Sequence, residues 1–305
     1  MLLFPALLFL SIYRTLNRFY SPLSILNKFN FKYLVQLSIH HTMITDLSII
    51  KDIVKQASVN ELLPRYTQVI AEYKADGSLV TEADIAMQNA IAAALQQHYP
   101  DTTLLSEEMT KTEQQQALTS AAPVWCLDPL DGTSNFAAGI PYFAVSLSLI
   151  HHQKVTIGIV YDPVRDEFFS ASDTQPAQIN NESLQTNQSV TDLKKAIALI
   201  DLKRLTPDLS TRLVQQQPFA SQRNFGASAL DWCWLAANRG QLYLHGRQNI
   251  WDYSAGQYIF EKAGGHSCTL DGETIFINQL EGRSVIAACN QTLHNNWIDW
   301  INKTY

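Results

Sequence analysis

The alternation of apolar and polar positions divides the chain into short periodic segments of two kinds. From Asp46 to about Ile70 the apolar residues recur at helical spacing, with Pro64 as an interruption. Residues 74–84 (KADGSLVTEAD) are turn-rich, and Asp76-Gly77-Ser78 is the turn signal. Met87, Ala90, Ile91, Ala94 and Leu95 then fall at i, i+3, i+4, i+7 and i+8. This predicts an amphipathic helix capped by Thr81 or Asp84 and ended by Pro100. Leu104–Leu105 reads as a short strand emptying into Ser106-Glu107-Glu108, and 124–128 (VWCLD) as a second that again ends on acid. Between them, 109–122 reads as a loop with a helical turn. Residues 143–162 predict a hairpin turning at His151–Lys154, and 164–172 a further strand.

Residues 172–192 are polar and poor in strong helix formers, which suits a link between two halves. Beyond it, 194–202 (KKAIALIDL) and 241–246 (QLYLHG) read as strands. Residues 230–240 read as a helix closing on Gly240, and a second helix opens at Asp252 and closes at Gly264-Gly265. Residues 274–278 (TIFIN) and 284–290 (SVIAACN) read as late strands. No fixed-period repeat is present, and the mixture of strands and helices implies an α/β or α+β class.

Composition narrows the function classes. Apolar residues are 46% and charged residues 16% of 305, enough for a substantial core and unlike a disordered chain. The net charge of −6 argues against a broad basic face for nucleic acid, so no direct nucleic-acid partner is predicted. Cys126, Cys233, Cys268 and Cys289 are far apart with no Cys-x-x-Cys spacing. They read as reduced thiols of a cytoplasmic protein, not as a zinc site or disulfide framework.

Residues 1–42 stand apart. They open with 13 residues, MLLFPALLFLSIY, that carry no charge, and the first acid is Asp46. The apolar run is shorter than the roughly 20 residues of a membrane span. It has no basic stretch before it and no clear cleavage site after it. Met43 opens a segment that reads like an ordinary start. A start placed too far upstream, a membrane-leaning or flexible extension, and a targeting peptide all remain open. Membrane contact is expected only if this segment is real.

The candidate chemistry lies in carboxylates from four segments. Asp128-Pro129-Leu130-Asp131-Gly132-Thr133 places two acids three residues apart in a turn that Pro129 and Gly132 would build. Such a turn can aim two carboxylates and a backbone carbonyl at one point, an oxygen set suited to a hard cation such as Mg²⁺. Asp84 and Asp252 sit at helix starts, where acids also serve as caps, and Glu107-Glu108 follow a strand, where a solvated loop is the plainer reading.

Taken together, Asp84, Glu107-Glu108, Asp128-Pro-Leu-Asp131-Gly-Thr133 and Trp251-Asp252-Tyr-Ser-Ala255-Gly256 resemble, in order and spacing, the motifs of the inositol monophosphatase superfamily. These are lithium-sensitive, Mg²⁺-dependent phosphatases of small molecules. The resemblance spans about residues 45–300. It implies a layered α-β-α-β-α sandwich of α+β class, with an N-terminal half at 43–185, a C-terminal half at 186–305, and a homodimer. It also implies two to three Mg²⁺ ions. Glu107, Asp128 and the Leu130 carbonyl would hold the first, and Asp128, Asp131 and Asp252 the second. Glu107 would reach a third through water.

By the same resemblance, Thr133, supported by Asp84, would orient and deprotonate the attacking water, with Glu108 in support. Gly132 and Thr133 would receive the phosphate, and Asp131, Ala227, His245 and Asp252 would contact the substrate. The implied partner is a small phosphorylated metabolite, ranked with an inositol monophosphate-like ester first. A 3′(2′),5′-bisphosphate nucleotidase, and a regulator that binds a partner on the same fold, are the alternatives.

The match departs in places. Ser106 stands where the family often has Gly, as in its bisphosphate nucleotidase branch, and Ala137-Ala138 follow Asn135-Phe136 where a basic or polar residue is usual. His245 stands seven residues before Asp252, where inositol-specific members place a Glu. An imidazole cannot accept two hydroxyl hydrogen bonds as a carboxylate does. Asn180-Asn181 replace a glycine-containing turn.

Overall fold

The structure is a computed structural model and describes residues 46–66, 72–73 and 79–303. The extension 1–42 and the turn at 74–78 lie outside the described residues. The first helix, α1 (Leu47–Ala57), continues through a π-turn at Ser58–Leu62 into a 3₁₀ turn at Leu63–Arg65, where Pro64 occupies the first turn and is tolerated. β1 (Glu72–Tyr73) pairs antiparallel with β2 (Leu79–Val80). α2 (Glu82–His98) follows, with Thr81 as N-cap and Asp84 as its capping-box partner. Its Met87, Ile91 and Leu95 are buried, as the apolar stripe predicts.

Two sheets organise the rest. The first has seven strands in the order β3-β4-β5-β6-β7-β8-β9. They are β3 (Thr103–Ser106), β4 (Val124–Asp131), β5 (Ala144–His151), β6 (Lys154–Asp162), β7 (Glu167–Ser172), β8 (Gln178–Ile179) and β9 (Glu182–Ser183). Only β3–β4 is parallel; every other pairing is antiparallel. The second sheet runs β11-β10-β12-β14-β13, with β10 (Ile197–Asp201), β11 (Ser221–Arg223), β12 (Leu242–Gln248), β13 (His266–Cys268) and β14 (Arg283–Ala288).

Helices fill the layers around the sheets. α2 packs on β4, and α3 (Lys111–Leu118) on β3. α6 (Ser228–Ala236) and α7 (Ile250–Lys262) pack on each other between the sheets, α7 against β4–β7 and β13, α6 against β12. α8 (Gln291–Asn302) covers β14 on the outside. The result is the expected α+β sandwich of alternating helix and sheet layers.

Strand periodicity assigns the two faces of the second sheet. Leu199, Tyr243, Val285 and Ala287 point into the core shared with α6 and α7. The alternate residues Ala198, Ile200, Leu242, Leu244, Ile286 and Ala288 pack with Leu213 of α5 (Pro207–Gln216) and with Leu293 and Trp297 of α8. Gly256 lets α6 and α7 approach closely, because a Cβ there would lie 2.7 Å from the Trp232 Cβ. The four cysteines are unpaired thiols. Among the described residues no helix is long and apolar enough to cross a membrane.

The local expectations need four corrections. Residues 274–278 form no strand, because β13 occupies the edge of β14 that they would need. The helix at 228 ends at Ala236, and Asn238 (φ 62), not Gly240, takes the left-handed position after it. Asn tolerates that conformation, while Gly240 instead makes room for Leu199, 3.2 Å from where its Cβ would be. Asp252 is the third residue of its helix, whose N-cap is Asn249. Finally, Asp128 and Asp131 are part of a strand that continues to Asp131, not of a free turn.

Candidate active site

The end of β4 is irregular in a way that places both aspartates. Asp128 pairs with Ser146 and Asp131 with Ala144, so three steps on β4 match two on β5. Inside the bulge, the Leu130 N–H donates to Asp128 Oδ1 at 3.0 Å. The Leu130 carbonyl is turned towards Thr133 and accepts from its hydroxyl at 3.0 Å. Gly132 (φ 92) makes the left-handed turn from β4 into the short helix α4 (Thr133–Ala137). A Cβ on Gly132 would come within 3.1 Å of both the Ala227 Cβ and the Tyr142 carbonyl. Gly132 and Ala227 are thus neighbours.

Thr133 connects this loop to α2. Its hydroxyl lies 3.2 Å from Asp84 Oδ1, so one hydrogen is within reach of two acceptors, Asp84 and the Leu130 carbonyl. Asp84 is fixed in turn by its capping box: Oδ2 accepts from the Thr81 N–H at 2.7 Å and the Thr81 hydroxyl at 2.6 Å. The cap that starts the helix therefore aims the other carboxylate oxygen at Thr133. Burial raises the pKa of Asp84, with its hydrogen bonds to Thr81 acting against the rise.

Asp131 has a second task. Ala227 precedes α6 and offers no capping side chain. Asp131 Oδ1 accepts from the Ser228 N–H at 3.2 Å and Oδ2 from the Ala229 N–H at 2.6 Å. A carboxylate from the first sheet thus caps a helix between the sheets. Asp252 Oδ2 accepts from the Asn249 N–H at 2.7 Å, closing its own capping box. Glu107 sits just past β3, where its N–H extends the ladder to the Leu127 carbonyl at 3.2 Å. Buried Gln114 of α3 donates to the carbonyls of Ser106 and Glu107, at 2.9 and 3.2 Å.

The electrostatics are one-sided. Burial first, then the charges of Glu107, Asp131 and Asp252, push Asp128 well above the usual carboxylate range, against one backbone N–H from Leu130. Asp131 is raised by burial and then by Asp252, against the N–H groups of Ala229 and Ser228. Asp128 is thus near enough to Glu107, Asp131 and Asp252 to be repelled by each, and Asp131 to Asp252. Each of the three aspartates has an oxygen turned to a backbone N–H, and among the described residues no three acids converge as a ready-made metal cage.

A cavity of about 160 Å³ opens beside this cluster. Of the sequence-predicted residues, Ala227, His245 and Asp252 line it. His245 is buried and ordered from both sides. Its Nδ1 accepts from the Arg247 N–H at 3.1 Å, which leaves Nε2 as the donor to Asp201 Oδ2 at 3.3 Å. That bond is the main cause of the lowered pKa of Asp201. A larger, open groove of about 580 Å³ between residues 191–194 and α8 contains none of the predicted residues.

The cavity also holds residues that the sequence reading passed over: Asp201, Asp231, Lys203, Arg204 and Arg247. Asp231 accepts from the Tyr142 hydroxyl at 3.0 Å, and burial pushes its pKa up to about 8. Its signal in the sequence is a lone acid within the apolar run 229–237. The basic residues carry no such signal, since they come from two separate segments.

Comparisons with known proteins bear on the family and the fold. The model of the family described as "Inositol monophosphatase family" matches residues 46–303. The chain is 33% identical to a Nus factor SuhB of Pasteurella multocida over 70% of this chain and 80% of that protein. It is 35% identical to an inositol monophosphatase 1 of Solanum lycopersicum over 63% of this chain and 72% of that protein. A solved structure titled IMPase/NADP phosphatase complexed with Mg²⁺ and phosphate superposes with a TM-score of 0.73 at 24% identity, covering 84% of this chain and 95% of that one. From the carboxylate motifs, the fold and the family match over nearly all the described residues, it follows that this chain belongs to the inositol monophosphatase family.

Proposed function

We propose that the chain is a Mg²⁺-dependent phosphatase that hydrolyses a small phosphate monoester, of the inositol monophosphate kind, with an activated water. One observation carries this reading. Asp128 and Asp131 are buried beside Glu107 and Asp252, and the charges that act on the two buried aspartates raise them. An all-oxygen set with surplus negative charge suits a hard divalent cation. Glu107, Asp128 and the Leu130 carbonyl would hold one Mg²⁺, and Asp128, Asp131 and Asp252 a second, with Glu107 reaching a third through water. Bound there, the ions would offset the charge of the phosphate and acidify a water.

The chain's own groups then have distinct tasks. Asp84, oriented by Thr81, holds the Thr133 hydroxyl, which orients the attacking water and takes its proton while passing its own to Asp84 Oδ1. The backbone N–H groups of Gly132 and Thr133 receive the phosphate. Asp131, Ala227, His245 and Asp252 face the substrate. A homodimer in the cytoplasm, inhibited by lithium and built from halves 43–185 and 186–305 after an extension at 1–42, completes the proposal.

The test is phosphate release with Mg²⁺ across inositol 1-phosphate, adenosine 3′,5′-bisphosphate, fructose 1,6-bisphosphate and histidinol phosphate. Activity that disappears in Asp128→Asn and falls with Li⁺ supports the reading; a folded protein inactive on all four counts against it. Identity to a protein named Nus factor SuhB favours a second reading, regulation by binding a partner. In that case Asp128→Asn would leave the protein's biological effect intact.

A further inference from the structure

His245 lines the cavity beside Asp252, yet neither of its ring nitrogens is left for a substrate. Nδ1 accepts from the Arg247 N–H at 3.1 Å, and Nε2 faces Asp201 Oδ2 at 3.3 Å. What His245 offers the cavity is the carboxylate that it holds. The Asp201 side chain is 25% exposed and that of His245 only 8%, so the carboxylate is the more accessible of the two. Among the described residues each Asp201 oxygen accepts one hydrogen bond, Oδ2 from His245 and Oδ1 from the Lys203 N–H at 2.8 Å. A carboxylate has about four lone-pair sites, so about one remains on each oxygen. The other two acids of the cavity are committed elsewhere. Asp231 is buried and accepts from Tyr142, while Asp252 closes a capping box and belongs to the proposed cation set.

The backbone builds this pair. Asp201 ends β10, and His245 is its register partner on the parallel strand β12. The bond from the Lys203 N–H makes Asp201 the N-cap of a 3₁₀ turn, Leu202–Arg204, directly after β10. Gly246 lets that turn close onto β12, since a Cβ there would overlap the Arg204 carbonyl. Strand register thus sets His245 against one carboxylate oxygen, and the turn fixes the other. The hydrogen bond from His245 is the largest cause of the lowered pKa of Asp201, and the Lys203 N–H adds to it, so the group is an anion at neutral pH.

We infer that Asp201 is the specificity-determining acceptor for a hydroxyl on the substrate's alcohol, and that His245 is a positioning residue that acts through it. The charges around the opening decide between donors. Lys203, Arg204 and Arg247 line the same cavity, so an ammonium group on the substrate would meet three cations. A hydroxyl is neutral, and it can give its hydrogen to Asp201 while accepting from one of them. The inference rests on the phosphatase reading for the fate of the phosphate, but not for the binding of the alcohol. A hydroxyl of a cyclitol and one of a ribose share this chemistry, and matched pairs separate them.

The experiment compares inositol 1-phosphate with cyclohexyl phosphate, the same ring without its hydroxyls, and adenosine 3′-monophosphate with its 2′-deoxy counterpart. The values of kcat, KM and calorimetric affinity are read in the native protein, in Asp201→Asn, His245→Ala and His245→Gln, and in the double variant of Asp201→Asn with His245→Ala. One hydrogen bond to a charged group predicts at least about a tenfold preference for the hydroxylated member of one pair. Asp201→Asn, which can still cap the turn, should shrink that preference, more through KM than through kcat. His245→Ala should shrink it as well, and His245→Gln, which keeps a side-chain N–H, should restore part of it. The double variant should lose no more than Asp201→Asn alone, because the two residues act as one unit. Equal turnover and affinity within both pairs would overturn the inference and leave the phosphatase reading standing, and so would a preference that Asp201→Asn leaves intact. A double variant that loses the sum of both effects would put His245 on the substrate itself and overturn its positioning role. A variant-sensitive preference in affinity without any phosphate release would instead support the role of Asp201 and sink the phosphatase reading.

Discussion

Substituting Gly246 by Ala tests how the cavity wall is built. The new Cβ would lie 1.7 Å from the Arg204 carbonyl oxygen, 2.2 Å from its carbon and 2.9 Å from the Leu205 nitrogen. Ordinary van der Waals contact begins at 3.4 Å, and the obstacle is backbone, so no side chain can rotate away. The 3₁₀ turn must move back from β12 by roughly 1.5 Å, and overpacking of this kind costs about 1–3 kcal/mol. Removing a strand glycine returns roughly 0.5–1 kcal/mol through the unfolded state. The net loss is then on the order of 1–2 kcal/mol, or about 1.5–3 °C in Tm at roughly 2.1 cal/mol/K per residue. Thermal melting and urea titration of both proteins measure it. An unchanged Tm would refute this, since the turn would then be free to relax.

Three further outcomes are expected. Mg²⁺ should raise Tm and EDTA should lower it, by about 2.7 kcal/mol of linkage at a hundredfold excess over Kd; a Tm that does not rise as Mg²⁺ is titrated would contradict the proposed metal set. Thr133→Ala and Asp84→Asn should each lower kcat by roughly 10²–10⁴ with little change in KM, as loss of proton-transfer groups does. Thr133→Ser should retain most of the activity, and a larger effect on KM than on kcat would reassign the pair to binding. His294, buried beside Cys268 and the Ile286 carbonyl, has a pKa lowered by burial first. Its folded pKa lies below the unfolded value, so its contribution is complete above about pH 6.5 and lost as the pH falls below it, where only the unfolded chain takes up the proton. His294→Gln should therefore lose less stability than the native protein between pH 7.5 and 5.5 in urea titrations; identical losses would contradict this.

Much of the architecture could be read from periodicity, because burial on both faces of a sandwich leaves uncharged, mostly apolar runs such as 143–150 and 155–161. The carboxylate motifs were equally visible. What could not be read depends on partners distant in sequence. Residues 274–278 have the composition of a strand, but the edge they would need is held by β13. Thr110-x-x-Glu113 is a capping box visible in the sequence and it starts α3, yet the Gln-rich stretch behind it is only weakly amphipathic and reads as loop. Asp131 appears in the sequence only as half of an acidic pair. That it also caps α6 depends on Ala227, nearly a hundred residues on, lacking a capping side chain. The basic residues of the cavity were invisible for the same reason: Lys203 and Arg247 line one opening only because β10 and β12 run side by side.

The order of strands has a kinetic consequence. β4, β5, β6 and β7 pair as sequence neighbours, and β5 turns into β6 through only His152 and Gln153. Closing such short loops has a small entropic cost, so this meander can form early. The β10–β12 pairing must wait for a crossover through α5, β11 and α6, and Asp252 arrives only on the helix after β12. Asp128 and Asp131 would then be in place before the third aspartate that repels them, and the electrostatic opposition to folding would be deferred to the final assembly of the site. Pulse-labelled hydrogen exchange during refolding should show amides of β5 and β6 protected before those of α7. Simultaneous protection would mean that the acids are brought together in a single step, with their repulsion opposing the formation of the nucleus itself.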